Sequence, residues 1–261
     1  MTLPPVVDAA WVRAYAGEEG LLVADVRGPN AHARGHLPGS VPLVLGAPPP
    51  SSDRALVEEL ALEVARRLGR FGVTGEERLV LYDGGDGVSA AAAAQLAELA
   101  GHPAVAVLAG GLPAWDGGLE TGEVEVEKTR PALEPRLEAF PTRDEVAARL
   151  DDPELVLLDV RRPEEFSGRG GYPCDPRQGH IPGARLLQHD RLLAGPGRLL
   201  PPQLVHAVTG LPPETEIVAY CHVGSRSALA TLALRAAGCR ARNYAPSWHE
   251  WSRHPELPAE R

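Results

Sequence analysis

Short apolar runs alternate along the chain with longer segments of helical composition. Val156–Val160 and Ile217–Tyr220 are rich in β-branched residues and suit strands buried in a parallel sheet. Thr142-Arg143-Asp144-Glu145 is a capping-box sequence that opens a helix toward Leu150. Ser227–Ala237 has the Ala and Leu content of a good helix former, and Gly238 is placed to end it. This strand–loop–helix alternation predicts an α/β protein whose sheets are open, mostly parallel and flanked by helices. In such sheets ligands sit at the carboxyl ends of the strands.

The pattern occurs twice. Leu21-Leu22-Val23-Ala24-Asp25-Val26-Arg27 is answered by Val156-Leu157-Leu158-Asp159-Val160-Arg161, and Gly35-His36-Leu37-Pro38-Gly39-Ser40 by Gly179-His180-Ile181-Pro182-Gly183-Ala184. Leu79-Val80-Leu81-Tyr82-Asp83 matches Ile217-Val218-Ala219-Tyr220-Cys221, and a tryptophan, Trp115 or Trp251, closes each copy. Four matches in one order imply a duplicated domain. The second copy carries about ten additional residues, rich in Gly and Pro, between Phe166 and His180. Glu- and Pro-rich sequence from Gly117 to Pro141 reads as an exposed connector. The expected division is a first domain over 1–122, a linker over 123–140 and a second domain over 141–261.

Composition narrows the class. The 261 residues are 44% hydrophobic and 23% charged, which suits two ordinary globular domains and excludes wholesale disorder. A net charge of −9 leaves no basic excess for nucleic acid. Apolar runs such as Ala90–Ala94 and Ala228–Leu234 are far too short to cross a bilayer, and Met1 to Ala10 lacks a secretory h-region. Three cysteines do not form a disulfide framework, so reduced thiols in the cytoplasm are expected.

Chemistry concentrates after the strand ending at Tyr220. Cys221 follows it directly, Ser225-Arg226-Ser227 opens the next helix, and His222-Val223-Gly224 lies between. A helix N-terminus offers unpaired N–H groups and the positive end of the macrodipole. Arg226 adds a fixed charge, His222 can add another, and Gly224 can take the positive φ that turns successive amides inward. A cysteine so placed is expected to stand largely as a nucleophilic thiolate.

Together with this loop, Asp159-Val160-Arg161, Glu164-Glu165-Phe166, Gly179 to Ala184 and Ser247-Trp248-His249-Glu250-Trp251 resemble the rhodanese family in its tandem form, the thiosulfate and 3-mercaptopyruvate sulfurtransferases. The resemblance covers nearly the whole chain and implies two rhodanese-like domains. It implies a double displacement in which Cys221 takes sulfane sulfur from a small anionic donor and passes it, as a persulfide, to cyanide, a thiol or a sulfur-acceptor protein. His222, Val223, Gly224, Ser225, Arg226 and Ser227 would cradle donor and persulfide, with no metal or organic cofactor. Asp83 stands where the first copy would carry its cysteine, which implies a silent domain that shapes the cleft over the second. A non-enzymatic binding module is the competing class. A phosphatase is disfavoured because four residues separate Cys221 from Arg226, where protein tyrosine phosphatases have five.

Some positions depart from the family pattern. Glu165 stands where thiosulfate enzymes carry an arginine, Val223 where they carry a lysine, and His222 where mercaptopyruvate enzymes carry glycine. The donor stays open between the two, with thiosulfate preferred for the charges of Arg226 and His222. Arg169 and Arg177 are candidates to supply the missing charge, and Trp248 to line the cleft. His222 is expected to be exposed on its loop. Cys239 reads as a packing residue, Cys174 as a surface cysteine with a resolving thiol as the alternative, and His36 and His180 as structural. No Cys-x-x-Cys or His-Glu-x-x-His spacing indicates a metal site.

Overall fold

A computed structural model describes residues 3–261. The chain divides into two compact units. One takes in the residues up to Ala47, Glu58–Arg136 and Gly195–Arg198; the other takes in Pro48–Val57, Leu137–Ala194 and Leu199–Arg261. Each unit thus holds a short stretch from the opposite half of the sequence. Pro48–Val57 is held in the second unit by Glu250, whose carboxylate accepts from Ser52 N at 2.7 Å and Ser52 Oγ at 2.8 Å. In the first unit, Gly197 O accepts from Gly110 N at 2.8 Å.

The first unit contains β1 (Val6–Val7), β2 (Leu21–Asp25), β3 (Val41–Pro42), β4 (Arg78–Tyr82) and β5 (Val105–Leu108), in the sheet order β1-β5-β4-β2-β3. Every pair is parallel. In the second half come β6 (Leu155–Asp159), β7 (Arg185–Leu186), a hairpin of β8 (Leu193–Gly195) and β9 (Arg198–Leu199), then β10 (Glu216–Tyr220) and β11 (Arg240–Asn243). The second unit's sheet runs β11-β10-β6-β7, again all parallel. It repeats the order β5-β4-β2-β3 without a counterpart of β1. The predicted architecture is the one observed, with strand boundaries displaced by one residue.

β10 shows why these runs make strands. Ile217 and Ala219 point to one face, against Ala230, Ala233 and Leu234. Val218 and Tyr220 point to the other, against Tyr244, Trp248 and Trp251. A period of two with both faces covered is the signature of a central parallel strand.

The repeated motifs pin the sheets. Arg161 donates to Asp159 Oδ2 at 2.7 Å and to Gly179 O at 2.6 Å, and Tyr220 Oη accepts from Ile181 N at 3.1 Å. Arg27 bridges Asp25 and Gly35 O in the same way, and Tyr82 Oη accepts from Leu37 N at 3.2 Å. The Gly-His-x-Pro-Gly turn is therefore fastened to the strand end by a charge-assisted fork. His36 Nδ1 contacts His32 O at 2.8 Å and His180 Nδ1 contacts Phe166 O at 2.9 Å, which places both imidazoles in structural roles.

One helix stops short of expectation. The Thr142 capping box forms, but its helix stops at Ala147, short of Leu150, and Arg149 turns to pair with Asp152 and Glu216. The helix that Ser225-Arg226-Ser227 was read to open runs from Ser225 to Ala236, with Gly238 beyond its end at φ +86°. No helix among the described residues is long and apolar enough to cross a membrane.

Candidate active site

Cys221 sits at the carboxyl end of β10 with only 1% of its surface exposed. Its Sγ accepts from Gly224 N at 3.1 Å and from Ser227 Oγ at 3.3 Å. The helix Ser225–Ala236 starts at once, and its first intrahelical bond runs from Ala228 N to Gly224 O at 2.9 Å. The amides of residues 225–227 precede that bond and lie at the positive end of the helix. Gly224 makes the turn possible: its φ is +87°, and a methyl group there would lie 2.5 Å from Ala245 O. Both donors aim a hydrogen at the sulfur.

A second layer fixes the loop. Cys221 N donates to Ser247 Oγ at 3.0 Å, and Ser247 Oγ donates to Tyr244 O at 2.8 Å. Trp248 N and His249 N donate to the carbonyls of Cys221 and His222 at 3.1 and 3.0 Å. Asn243 Nδ2 holds Gly224 O at 2.9 Å. Ser247 takes a φ of +56°, unusual for a residue with a side chain, and this strained start aims the terminal helix at the loop. Sequence reasoning singled out neither Ser247 nor Asn243. For Ser247 the only signal was its place in the terminal Ser-Trp-His-Glu-Trp stretch.

Arg226 does not stand as a free cation. Its Nη1 and Nη2 each donate to Glu165 at 2.8 Å, and Glu165 also receives Arg162 Nε at 3.2 Å. Burial alone would raise the Glu165 carboxyl, but Arg226 together with the amide and guanidinium of Arg162 holds the group at about 2. Burial opposes the charge on Arg226 as well, yet Glu165 and the neighbouring Cys221 charge raise its pKa. His189, which the sequence did not mark, is kept neutral by burial and by the charge of Arg226. Its buried Nδ1 has no hydrogen-bond partner among the described residues.

His222 is buried rather than exposed on its loop. Its ring stacks on Tyr172 at 3.6 Å, and Nε2 reaches Asp175 Oδ2 at 3.1 Å. Asp175 also contacts His249 Nδ1 at 3.2 Å and Arg253 Nη1 at 3.1 Å. Burial pushes the Asp175 carboxyl up, but these partners, His222 foremost, bring it below the usual range. Burial and the Arg253 charge lower His249.

Other sequence candidates fall elsewhere. Arg177 is a candidate to supply charge to the donor, but four of its N–H donors go to the carbonyls of Ser252, Leu257, Trp251 and His254, at 2.6 to 2.9 Å. It is a clamp on the end of the chain. Trp248 does not line a cleft: it is fully buried, donates to Arg177 O at 3.2 Å, and lies under the Arg161 guanidinium at 4.9 Å. Arg169 is exposed and bonds to Ser167 Oγ at 3.1 Å. Val223 is 43% exposed at the tip of the loop, Ser225 is half-buried and Cys239 is buried.

In the first unit, Asp83 fills its own cradle. Its Oδ1 accepts from Gly85 N at 2.9 Å and Gly87 N at 3.2 Å, and its Oδ2 from Ala90 N at 3.1 Å. Burial and the charge of Asp86 raise the carboxyl against these three amides. The donors are already spent on a side chain that cannot carry sulfur.

A family profile described as a rhodanese-like domain matches residues 8–117 and 142–254. The chain is 32% identical to a probable 3-mercaptopyruvate sulfurtransferase of Pseudomonas aeruginosa, over 99% of this chain and 98% of that one. It is 31% identical to a thiosulfate sulfurtransferase of Azotobacter vinelandii, over 99% and 98%. A crystal structure of a probable thiosulfate sulfurtransferase superposes with a TM-score of 0.73 at 34% identity, covering 93% of this chain and 98% of that one. EanB in complex with hercynine superposes at 0.80 with 24% identity, over 98% and 69%, which shows a shared fold.

Proposed function

The chain belongs to the rhodanese-like domain family, and from that membership we propose that it is a sulfurtransferase that carries sulfane sulfur on Cys221. The thiolate attacks the outer sulfur of thiosulfate, the S–S bond breaks, and sulfite leaves with the bonding electron pair. With 3-mercaptopyruvate the C–S bond breaks instead, and the enolate takes up a proton to give pyruvate. Cyanide or a thiolate then attacks the outer sulfur of the Cys221 persulfide, and the thiolate is regenerated. Sulfite is a stable leaving group, so the demand on the protein is to stabilise sulfur anions.

What carries this reading is the position of Cys221 Sγ, which receives Gly224 N–H and Ser227 Oγ–H at the start of the twelve-residue helix Ser225–Ala236. Donor choice does not rest on free cations. Arg226 is balanced by Glu165 and His222 is engaged by Asp175, so the amides and the helix terminus supply the positive field. Three free cysteines suit a reducing compartment such as the cytoplasm.

The test is direct. Incubation with thiosulfate, and separately with 3-mercaptopyruvate, is expected to add the mass of one sulfur atom to Cys221. Cyanide should then release it as thiocyanate. Absence of the adduct with both donors would overturn the assignment in favour of a binding module.

A further inference from the structure

Next to Cys221, and reaching it through His222, lies a cluster of side chains none of which is the nucleophile. Cys174 and Asp175 come from the inserted Gly- and Pro-rich loop, His222 from the residue after the nucleophile, and His249 from the terminal helix Ser247–Trp251. Their donor atoms all lie within 4.8 Å of one another. We propose that Cys174, Asp175, His222 and His249 form a four-coordinate zinc site.

The three edges that meet at Asp175 fit the metal. Tetrahedral zinc with Zn–N and Zn–O near 2.0–2.1 Å and Zn–S near 2.3 Å requires ligand edges of about 3.3 Å between N and O atoms and about 3.5 Å between S and O. From the single oxygen Asp175 Oδ1 the structure has 3.3 Å to His222 Nε2, 3.2 Å to His249 Nδ1 and 3.8 Å to Cys174 Sγ. One thiolate and one carboxylate balance a divalent charge, with the thiol proton released to solvent on binding. Sulfur and imidazole donors select zinc over magnesium or calcium.

The surroundings suit a metal centre as well. Stacking on Tyr172 at 3.6 Å fixes the plane of the His222 ring. Arg253 presently supplies the positive charge: its Nη1 lies 3.1 Å from both Asp175 Oδ1 and His249 Nδ1. Its side chain is 37% exposed and can swing to solvent as the ion enters, and Cys174 is exposed and gives the ion its path. Bound zinc would anchor the residue that follows the nucleophile to the inserted loop.

The experiment uses the full chain with Cys221→Ser, so that zinc cannot be held by the reactive thiol. Competition with a chromogenic chelator is expected to show one zinc per chain with a dissociation constant below about 1 µM. Adding Cys174→Ser or His249→Ala should weaken it at least about tenfold. X-ray absorption of the zinc-loaded protein should show one sulfur near 2.3 Å. No stoichiometric binding below that concentration, equal affinity in both variants, or a sulfur-free shell would each overturn the proposal. None of these readouts depends on sulfur transfer.

Discussion

Replacing Glu165 by glutamine preserves the shape of the side chain and removes the charge that balances Arg226. Glu165 is 1% exposed and its carboxylate is held at about 2 against an ordinary 4.5, Arg226 and Arg162 together overcoming the cost of burial. That fall is worth about 3 kcal/mol of folding stability. Because the folded-state value lies below the unfolded one, the contribution is complete above about pH 4.5 and is lost as the pH falls toward 2. About 2 kcal/mol of it is gone by pH 3. At pH 7 the variant leaves a buried guanidinium without its counter-charge, a loss of about 3–5 kcal/mol. Urea unfolding of both proteins at pH 7, 5, 4 and 3 checks this. The stability gap should be widest at pH 7 and narrow by about 2 kcal/mol at pH 3. A gap that stays constant with pH would show that Glu165 carries no such charge in the folded protein.

Three further outcomes are expected. Cys221→Ala should abolish thiocyanate formation while Asp83→Ala leaves turnover near wild type; comparable losses from both would return the first unit to the reaction. Gly224→Ala forces a side chain onto a φ of +87° at a cost of about 1–2 kcal/mol, and its methyl meets Ala245 O at 2.5 Å. The displaced loop should load sulfur about 100-fold more slowly by mass spectrometry, and an unchanged loading rate would refute the cradle geometry. Arg177→Ala removes four charge-assisted bonds to carbonyls and should cost about 3–5 kcal/mol in urea unfolding without changing the KM for thiosulfate in the folded protein. A raised KM with unaltered stability would restore Arg177 as a substrate contact.

Local pattern carried much of this protein. The duplication, the parallel strands, the Thr142 capping box and the placement of Cys221 between a buried strand and a helix all depend on residues near one another in sequence, where periodicity and turn chemistry act directly. The lack of a cysteine in the first loop could also be read from one residue, Asp83, though not that its carboxylate occupies the amides itself.

Charge state and burial could be decided only by the folded chain. Arg226 reads as a free cation until Glu165, 61 residues away, is brought onto it. Arg177 reads as a spare charge in a flexible loop until four carbonyls from the end of the chain surround it. His222 reads as exposed until Tyr172 covers it and Asp175 meets it. The cysteine, aspartate and two histidines of the proposed zinc site lie on three separated segments, so no spacing could announce them. A side chain's ionisation and reach depend on what packs against it, and packing partners distant in sequence are set by the tertiary fold.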